Sequence, residues 1–316
     1  MTLRSTRVSA GAVVVGILWV LAAACSDGQT PTVPDQPHSG PLPELLRVPI
    51  VVHVVHNGEP IGAGPNLSDA RIHAQLRILN EDFRRQPGTP GFNDDPVSGD
   101  ARIEFVLAAT DPSGAETSGI ERIDASQIAN PVPENPLFEH FAHYSYWPPD
   151  QYVNVWTIPL PDAAQDIVLG FATGPQTDLP GAELLLDGEP VQPEGILVNA
   201  VHFGPGSIES PHNQGRTLTH EMGHYLGLLH LWGNQVCSEN DFVEDTPPVM
   251  SPITSCAPRP GCSGAPTQSA NYMTFAGDAC MNLFTAGQVE RMRHVLQTSP
   301  LRRGLTTSVG LVGHLR

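Results

Sequence analysis

The chain contains the stretch His220-Glu221-Met222-Gly223-His224-Tyr225-Leu226-Gly227-Leu228-Leu229-His230, and this stretch decides how the chain folds. His220 and His224 are spaced one helical turn apart, so a helix would present both imidazoles on the same face. Gly227 can adopt the positive φ that ends a helix and turns the chain sharply. The spacing therefore predicts a helix that ends at this glycine, followed by a return that brings His230 beside the first two histidines.

Three converging imidazoles predict a catalytic metal site. Catalytic zinc has three protein ligands and an open fourth position, whereas structural zinc is closed by four protein ligands. Glu221 follows the first histidine, where its carboxylate can act as a general base without being a ligand. With this chain's residue frequencies, HExxH arises by chance in roughly three chains per hundred, and the added glycine and histidine lower this to about one in ten thousand. The alternative, ordinary histidines on a helix surface, explains the pattern poorly.

The composition limits both the fold class and the partners. The 316 residues include 33 acidic and 16 basic residues, every base being Arg, for a net charge of −17. Nucleic acids are bound through basic patches, so we expect no nucleic-acid partner. The 32 Pro and 30 Gly residues, with only 16% charged residues, argue against a helical bundle and favour a loop-rich globular fold.

The N-terminus has the features of an export signal. Arg4 and Arg7 precede an apolar run, Ala10 to Ala24. This run is shorter than the roughly 20 residues that a transmembrane helix needs. It ends in small residues before Cys25, which resembles a bacterial lipoprotein signal whose cysteine is lipidated; the alternative is an ordinary signal peptide with an incidental cysteine.

The sequence thus predicts a lipoprotein-type signal over residues 1–25 and a Pro-rich tether over residues 26–43. We expect an exported protein, lipid-anchored at the bacterial cell envelope or secreted. Contact with a membrane is expected only through the lipid anchor.

The other four cysteines lie close together near the C-terminus. An even number of cysteines in an exported, Pro-rich segment predicts two disulfides. A structural zinc site is the alternative, but no CxxC pair is present. The four residues are Cys237, Cys256, Cys262 and Cys280.

Apolar runs before the histidine helix predict a mixed fold. Val48 to Val55 is typical of a buried strand, Ser68-Asp69 precedes a helical pattern, and Arg102 to Ala108 predicts the next strand. This order favours parallel neighbouring strands. Thr285 and Gln288 form a capping box that opens a last helix. Further strands are predicted at Tyr152 to Ile158, Ile167 to Thr173 and Gly195 to Val201.

Several motifs accompany the histidine helix: Gly215-Arg216-Thr217, His230-Leu231-Trp232-Gly233, Asn271-Tyr272-Met273, Asp278 to Thr285, and, near the N-terminus, Ile50 to Val55 and Leu79 to Phe83. Together with the helix, they resemble the metzincin zinc metallopeptidases, and within them the pappalysin-like family with its ulilysin-type bacterial enzymes. The resemblance implies a catalytic domain over residues 44–300, with residues 301–316 as a C-terminal tail.

The resemblance implies an α+β fold, with a twisted, mostly parallel sheet, an active-site helix and an irregular, disulfide-stapled C-terminal subdomain. It implies His220, His224 and His230 as ligands of one catalytic zinc ion and Glu221 as the general base. Met273 would form a hydrophobic floor beneath the zinc. The expected activity is a zinc-dependent endopeptidase that hydrolyses peptide bonds of extracellular proteins.

Two further features follow from the resemblance. It implies that Cys237 pairs with Cys262 and that Cys256 pairs with Cys280. It also implies a calcium site in the loop after the third histidine, where hard oxygen ligands gather; the alternative is a simply solvated acidic loop. The calcium ligands would be Asp241, Asp245 and Thr246, with Glu244 nearby.

The expected partners are protein or peptide substrates, bound by a monomer. By resemblance, an extended substrate would pair with the edge strand at Ile167 to Thr173. Asp278 would lie at the base of the pocket for the residue after the scissile bond and favour Arg or Lys there. The alternative is that Asp278 only caps a turn or accepts hydrogen bonds from backbone amides.

One departure from the family pattern concerns the position two residues after Met273. Several metzincins carry a tyrosine there, whereas this chain has Phe275, which has no hydroxyl to donate. A surface-tethered binding module descended from a peptidase is therefore one alternative function. The other is a zinc peptidase whose third ligand is a downstream glutamate, a class that needs neither Gly227 nor His230.

Overall fold

The structure is a computed structural model that describes residues 44–128, 142, 145–160, 168–185, 193–206, 208–238 and 240–313. The chain divides after Leu42 into two units, and all the described residues belong to the second, Pro43–Arg316. The predicted signal, Cys25 and the tether lie outside the described residues.

The described residues form a six-stranded sheet with the order β2-β1-β4-β6-β5, and β3 pairs with the second half of β1. All the strand pairs are parallel except β5 with β6. This confirms the predicted twisted, mostly parallel sheet. The strands are β1 Leu46–His56, β2 Ile103–Leu107, β3 Ile120–Asp124, β4 Val153–Ile158, β5 Gly170–Ala172 and β6 Ile196–Asn199.

The central strand β1 is buried on both faces. Ile50, Val52 and Val54 contribute to the core between the sheet and the helices. Val51 and Val55 point to the opposite face, where they belong to two smaller apolar clusters. A strand that is buried on both faces has a continuous apolar sequence, so β1 could be predicted from its residues.

Strand β3 is the one described strand that the sequence analysis missed. Its five residues include three charged ones, and Ile123 alone is buried. Such a segment has neither the apolar run nor the alternation that predicts a strand. It forms because the second half of β1 offers a free edge after β2 has ended.

Three α-helices lie wholly within the described residues and pack around the sheet: α1 Asp69–Phe83, α2 Arg216–Tyr225 and α3 Ala286–Thr298. The Ser68 hydroxyl caps α1 by accepting a hydrogen bond from the Arg71 amide. The predicted capping box is present at the start of α3, where Thr285 and Gln288 bond each other's backbone amides. None of the described helices is long and apolar enough to cross a membrane.

The C-terminal part is irregular and held by two disulfides, Cys237–Cys262 and Cys256–Cys280, the same pairs that the family resemblance implies. After α3 the chain folds back on the domain. Leu305 lies in the main core, and Leu311 is also buried. Residues 301–313 are therefore an integral part of the packed unit.

Candidate active site

Helix α2 begins at a glycine and is stabilised there by a distant carboxylate. Gly215 is the N-cap residue, with a φ of 82° and no side-chain cap. Instead, Oδ2 of Asp278 accepts hydrogen bonds from the backbone amides of Gln214 (2.7 Å) and Arg216 (3.2 Å). The first amides of a helix lack intrahelical partners and carry partial positive charge, so a buried carboxylate stabilises this end.

Three imidazole nitrogens form a nearly equilateral triangle at the other end of the helix. The Nε2 atoms of His220, His224 and His230 are 3.1 Å from one another in all three pairs. Three nitrogens bound to one zinc ion at about 2.0–2.1 Å in tetrahedral geometry lie roughly 3.3 Å apart. In the part of the chain that the structure describes, this is the one group of three or more His, Cys, Asp or Glu side chains that could hold a metal ion.

Backbone carbonyls fix the orientation of two of these rings. Nδ1 of His220 donates to the carbonyl of Tyr272 (2.7 Å), and Nδ1 of His224 donates to the carbonyl of Leu228 (2.8 Å). With the proton on Nδ1, the lone pair of Nε2 is directed to the centre of the triangle. Such outer hydrogen bonds are typical of histidines that bind metals.

Burial also keeps the three imidazoles neutral. It lowers the pKa of His220 to about 3 and that of His224 to about 4, and it lowers the pKa of His230 as well. The neighbouring histidines act in the same direction on His220 and His230. Only the neutral imidazole can bind a metal ion, so all three side chains are in the form that can bind one at neutral pH.

The turn after α2 takes the predicted course. Gly227 has a φ of 91°, the Leu228 amide donates to the Gly223 carbonyl, and the chain then returns to His230. Arg291 of α3 donates from Nε to the Gly227 carbonyl at 2.6 Å. The turn is therefore held from both sides, by its own backbone and by a buried arginine.

Two aromatic rings enclose the third histidine. Trp232 stacks on His230 with 4.3 Å between ring centroids and 13° between planes. Phe275 contacts the same imidazole edge-on at 4.7 Å, and it is 43% exposed. The rings restrict His230 to one orientation, and Phe275 presents a hydrocarbon surface to the solvent side of the site.

Glu221 follows His220 in α2, and its side chain is buried against strand β5. Desolvation raises the pKa of its carboxyl to about 8. A β carbon at Gly170 would come within 2.7 Å of Glu221 Cγ, so the strand backbone lies directly on this side chain. A carboxyl group in such a position can exchange a proton near neutral pH.

Met273 lies below the helix and is fully buried. A β carbon at Gly223 would come within 2.5 Å of its sulfur, so the turn that carries Met273 packs directly on α2. The preceding residue, Tyr272, supplies the carbonyl that holds His220. The segment thus supports the triangle through packing and through one hydrogen bond.

Asp278 takes the alternative role given above, as an acceptor of hydrogen bonds from backbone amides. Its side chain is fully buried, and Oδ2 is used at the start of α2. Among the described residues, Oδ1 has no hydrogen-bond partner, and His212 Nδ1 lies 3.6 Å from it. One oxygen is therefore fixed by the backbone, while the other is buried beside the His212 imidazole.

In the acidic loop after the third histidine, two of the predicted calcium ligands, Asp241 and Thr246, contact each other. Oδ1 of Asp241 accepts a hydrogen bond from the Thr246 hydroxyl at 2.6 Å, and burial raises the Asp241 pKa to about 7. Within the described chain, Asp241 Oδ2 and Asp245 Oδ1 are buried without a hydrogen-bond partner. Glu244, in contrast, is exposed.

Two supports of the site cannot be predicted from the sequence. The carbonyl of Tyr272 and the guanidinium of Arg291 act on backbone positions, and no local pattern reveals such contacts. The contact of Gly170 with Glu221 had a signal, because an isolated glycine within a predicted strand often marks a close approach of another group.

Comparisons with known proteins agree with this geometry. A family model described as Peptidase_M43, pregnancy-associated plasma protein-A, matches residues 137–297. An extracellular metalloprotease of Arthroderma otae is 33% identical over 257 residues, which are 80% of this chain and 78% of that protein. Extracellular metalloprotease 1 of Coccidioides posadasii is 37% identical over 127 residues, and this match covers 39% of the chain and 43% of that relative.

The fold is also similar to a solved structure, Tannerella forsythia mature mirolysin in complex with a cleaved peptide. The TM-score is 0.67 at 34% sequence identity, and the match covers 84% of this chain and 96% of that one. The similarity thus extends well beyond the histidine motif, over the sheet and the C-terminal region.

Proposed function

Because the chain belongs to the Peptidase_M43 family of metalloendopeptidases, we propose that His220, His224 and His230 hold one catalytic zinc ion and that Glu221 is the general base. The observation that carries the proposal is the triangle of Nε2 atoms, 3.1 Å on each side, next to a buried glutamate. The neutral, preoriented imidazoles fit a zinc ion by donor type and spacing.

The residues of the site have different roles in peptide hydrolysis. A bound zinc ion would supply Lewis acidity to a water molecule and to the carbonyl of the scissile peptide bond. Glu221 then accepts the proton of the attacking water and delivers it to the amine that leaves. Burial raises the pKa of this carboxyl, and the positive charge of a bound zinc ion would lower it again, so that the ionised group is present at neutral pH to accept the proton. Met273 supports the ligands from below without taking part in proton transfer.

Conservative substitution of the proposed base tests the function. Glu221→Gln keeps the shape of the side chain but cannot accept a proton, so peptide cleavage should fall by at least about a hundredfold while zinc content and melting temperature stay unchanged. Glu290→Gln, at an exposed position of α3, is the matched control and should keep full activity. Cleavage retained by the Glu221 variant would refute the assignment.

The third ligand has its own test. His230→Ala should lower the zinc content, because two histidines hold zinc weakly. A peptidase of the class with a downstream glutamate as third ligand would keep its zinc in this variant. The Gly227 turn, which brings His230 within 3.1 Å of His220, favours the histidine.

We also propose that substrates carry Arg or Lys after the scissile bond. The support is the buried Oδ1 of Asp278, which has no partner among the described residues and is held in place through Oδ2. A partly desolvated carboxylate pairs well with a guanidinium. Asp278→Asn should keep the contact with α2 but remove the preference for a basic residue in a peptide-library digestion. A profile unchanged by this substitution would contradict the idea.

A calcium ion near Asp241 is the second proposed cofactor. Two buried carboxylate oxygens without partners in the described chain, from Asp241 and Asp245, fit a hard cation that takes oxygen ligands. The Thr246 hydroxyl donates to the other oxygen of Asp241, Oδ1, and Asp245 Oδ2 accepts from the Gly287 amide. Such an ion would stabilise the loop between the metal triangle and the disulfides.

Export and lipidation at Cys25 also remain proposals. Their support is the N-terminal pattern of the sequence and the names of the relatives, which are extracellular metalloproteases. The mass of the mature N-terminus decides between the two routes: a diacylated Cys25 indicates an anchor, and a start elsewhere with a free thiol indicates secretion. We propose a monomer as the active form.

A further inference from the structure

Arg302 is a fully buried arginine in the segment after α3, beyond the residues that the family model matches. Its Nη2 lies 2.6 Å from Oε2 of Glu194, which is 2% exposed. Its Nε donates to the carbonyl of Tyr225 at 3.2 Å, and its guanidinium carbon lies 3.6 Å from the centroid of the Tyr225 ring. The whole cationic head is thus enclosed by protein.

Stability alone explains such an ion pair poorly. Removing two charges from water is costly, and well-packed apolar residues of similar volume often stabilise a protein as much or more. A buried pair does, however, fix the geometry of the groups that it bonds, because any displacement leaves a charge uncompensated.

The pair joins the end of the active-site helix to the end of the edge strand. Tyr225 is the last residue of α2, whose terminal carbonyls lack intrahelical partners and attract a cation. Thr173 directly follows β5: its hydroxyl donates to Oε2 of Glu194 at 2.9 Å, and its carbonyl lies 3.5 Å from Arg302 Nη2. Glu194 itself lies two residues before β6, the strand that pairs with β5.

Strand β5 depends on such an anchor because it is only three residues long and lies at one end of the sheet. At its start, Gly170 lies directly on Glu221, and at its end, Thr173 is held by Glu194 and Arg302. A shift by a fraction of an ångström at the Thr173 end of β5 would therefore change the surface that pairs with a peptide, whereas the Gly170 end is held by its contact with Glu221.

We propose that Arg302 is a positioning residue that, together with Glu194, holds β5 in place against α2 so that an extended peptide can pair with this strand. The proposal rests on the proposed function and on the pairing of an extended substrate with this edge strand that the family resemblance implies. Arg302 itself does not contact the reacting atoms. Its loss should weaken the binding of long peptides and leave the chemistry at Glu221 largely intact.

A neutral double variant tests the proposal without leaving a buried charge. In Arg302→Met with Glu194→Gln, no ion remains uncompensated, so the fold and about one zinc ion per chain should be kept. For a peptide of about ten residues, which can pair along the whole of β5, KM should rise about tenfold, as expected for one or two lost backbone hydrogen bonds, while kcat changes less than about threefold.

Two comparisons make the result specific. For a peptide of about three residues that is too short to pair along β5, the KM of the double variant should equal that of the unchanged protein. Arg303→Gln, at the exposed neighbouring position, should leave both constants unchanged for both peptides. We therefore expect KM to rise only for the long peptide, and only in the double variant and not in Arg303→Gln.

Three kinetic results would overturn the proposal: an unchanged KM for the long peptide in a folded, zinc-loaded double variant, an equal rise of KM for both peptides, or a fall in kcat at constant KM. Loss of zinc would likewise show that the pair acts on α2 rather than on β5. Glu221→Gln, measured in parallel, separates this question from the proposed function, because its activity reports on the base and not on the strand.

Discussion

Gly170 and Glu221 are in direct contact: a β carbon at position 170 would come within 2.7 Å of Glu221 Cγ and 2.9 Å of its Oε1. The edge strand of the sheet is therefore in van der Waals contact with the proposed general base. A glycine is needed here for lack of space and not for its φ, because this residue belongs to an extended strand. The position of the base is thus coupled to the strand that we propose to receive the substrate.

We predict that Gly170→Ala impairs catalysis while the zinc site persists. The new methyl group must displace either the Glu221 carboxylate or strand β5, and a displacement of this size lowers kcat by roughly 10- to 100-fold. Steady-state kinetics together with zinc analysis measures this effect. Gly99→Ala is the control, because its β carbon would meet Val289 Cγ2 at 2.9 Å, remote from the site, and should affect stability alone. Equal kcat values for the two variants would contradict the prediction.

We predict that Gly227→Ala weakens zinc binding as well as the fold. The residue has a φ of +91°, and its β carbon would also come within 2.9 Å of Val295 Cγ2. The chain must therefore move at the turn that carries His230 to the other two ligands. A zinc titration should show weaker binding, and urea unfolding should show a lower free energy of unfolding.

Gly264→Ala is the matched control for that prediction. Gly264 has a φ of +83° and open space around its Cβ direction, so this substitution costs only the backbone strain, about 1–2 kcal/mol. It should leave zinc affinity unchanged. If Gly227→Ala also kept its zinc affinity, the position of His230 would not depend on the turn at residue 227.

The sequence predicted the parts of the site that depend on spacing along one element. The helix with His220 and His224, the turn at Gly227 and the capping box at Thr285 are all local patterns, and the structure contains each of them. The parts that were missed depend on long-range contacts with backbone atoms. Arg291 reaches the Gly227 carbonyl across 64 residues of sequence, and nothing near either residue indicates that contact.

The C-terminal tail illustrates the same limit. Residues after 300 carry no motif, so they were expected to lie outside the catalytic domain. Arg302 and Leu305 are nevertheless fully buried, because the tail returns to the end of α2 and to the core. A charged residue such as Arg302 is predicted to be exposed unless its partner, here Glu194 at a separation of 108 residues, is known.

We predict that Phe275→Tyr raises kcat about threefold to tenfold. The Phe275 ring lies 4.7 Å from His230 and is 43% exposed, so an added hydroxyl could reach a developing oxyanion without further burial. A preoriented donor stabilises such a charge in the transition state more than it stabilises the substrate, so kcat should change more than KM. Phe92→Tyr, at a phenylalanine of 36% exposure elsewhere, should have no effect. An unchanged kcat would show that the hydroxyl points away from the reacting carbonyl.

The last prediction concerns calcium and pH. Burial raises the pKa of Asp241 to about 7, far above its value of 3.8 in an unfolded chain. Without calcium, the folded state therefore binds a proton more tightly than the unfolded state between these two pH values, and the free energy of unfolding should fall as the pH rises through this window, by at most about 1.4 kcal/mol per pH unit.

Calcium needs the ionised carboxylate, so it competes with this proton. The increase in melting temperature on adding calcium should be large at pH 8 and small at pH 6. The experiment uses the Glu221→Gln background, in which self-digestion cannot contribute, and Asp241→Asn should abolish the calcium effect at both pH values. An equal increase at pH 6 and pH 8, or one that persists in Asp241→Asn, would show that calcium does not bind through this carboxylate.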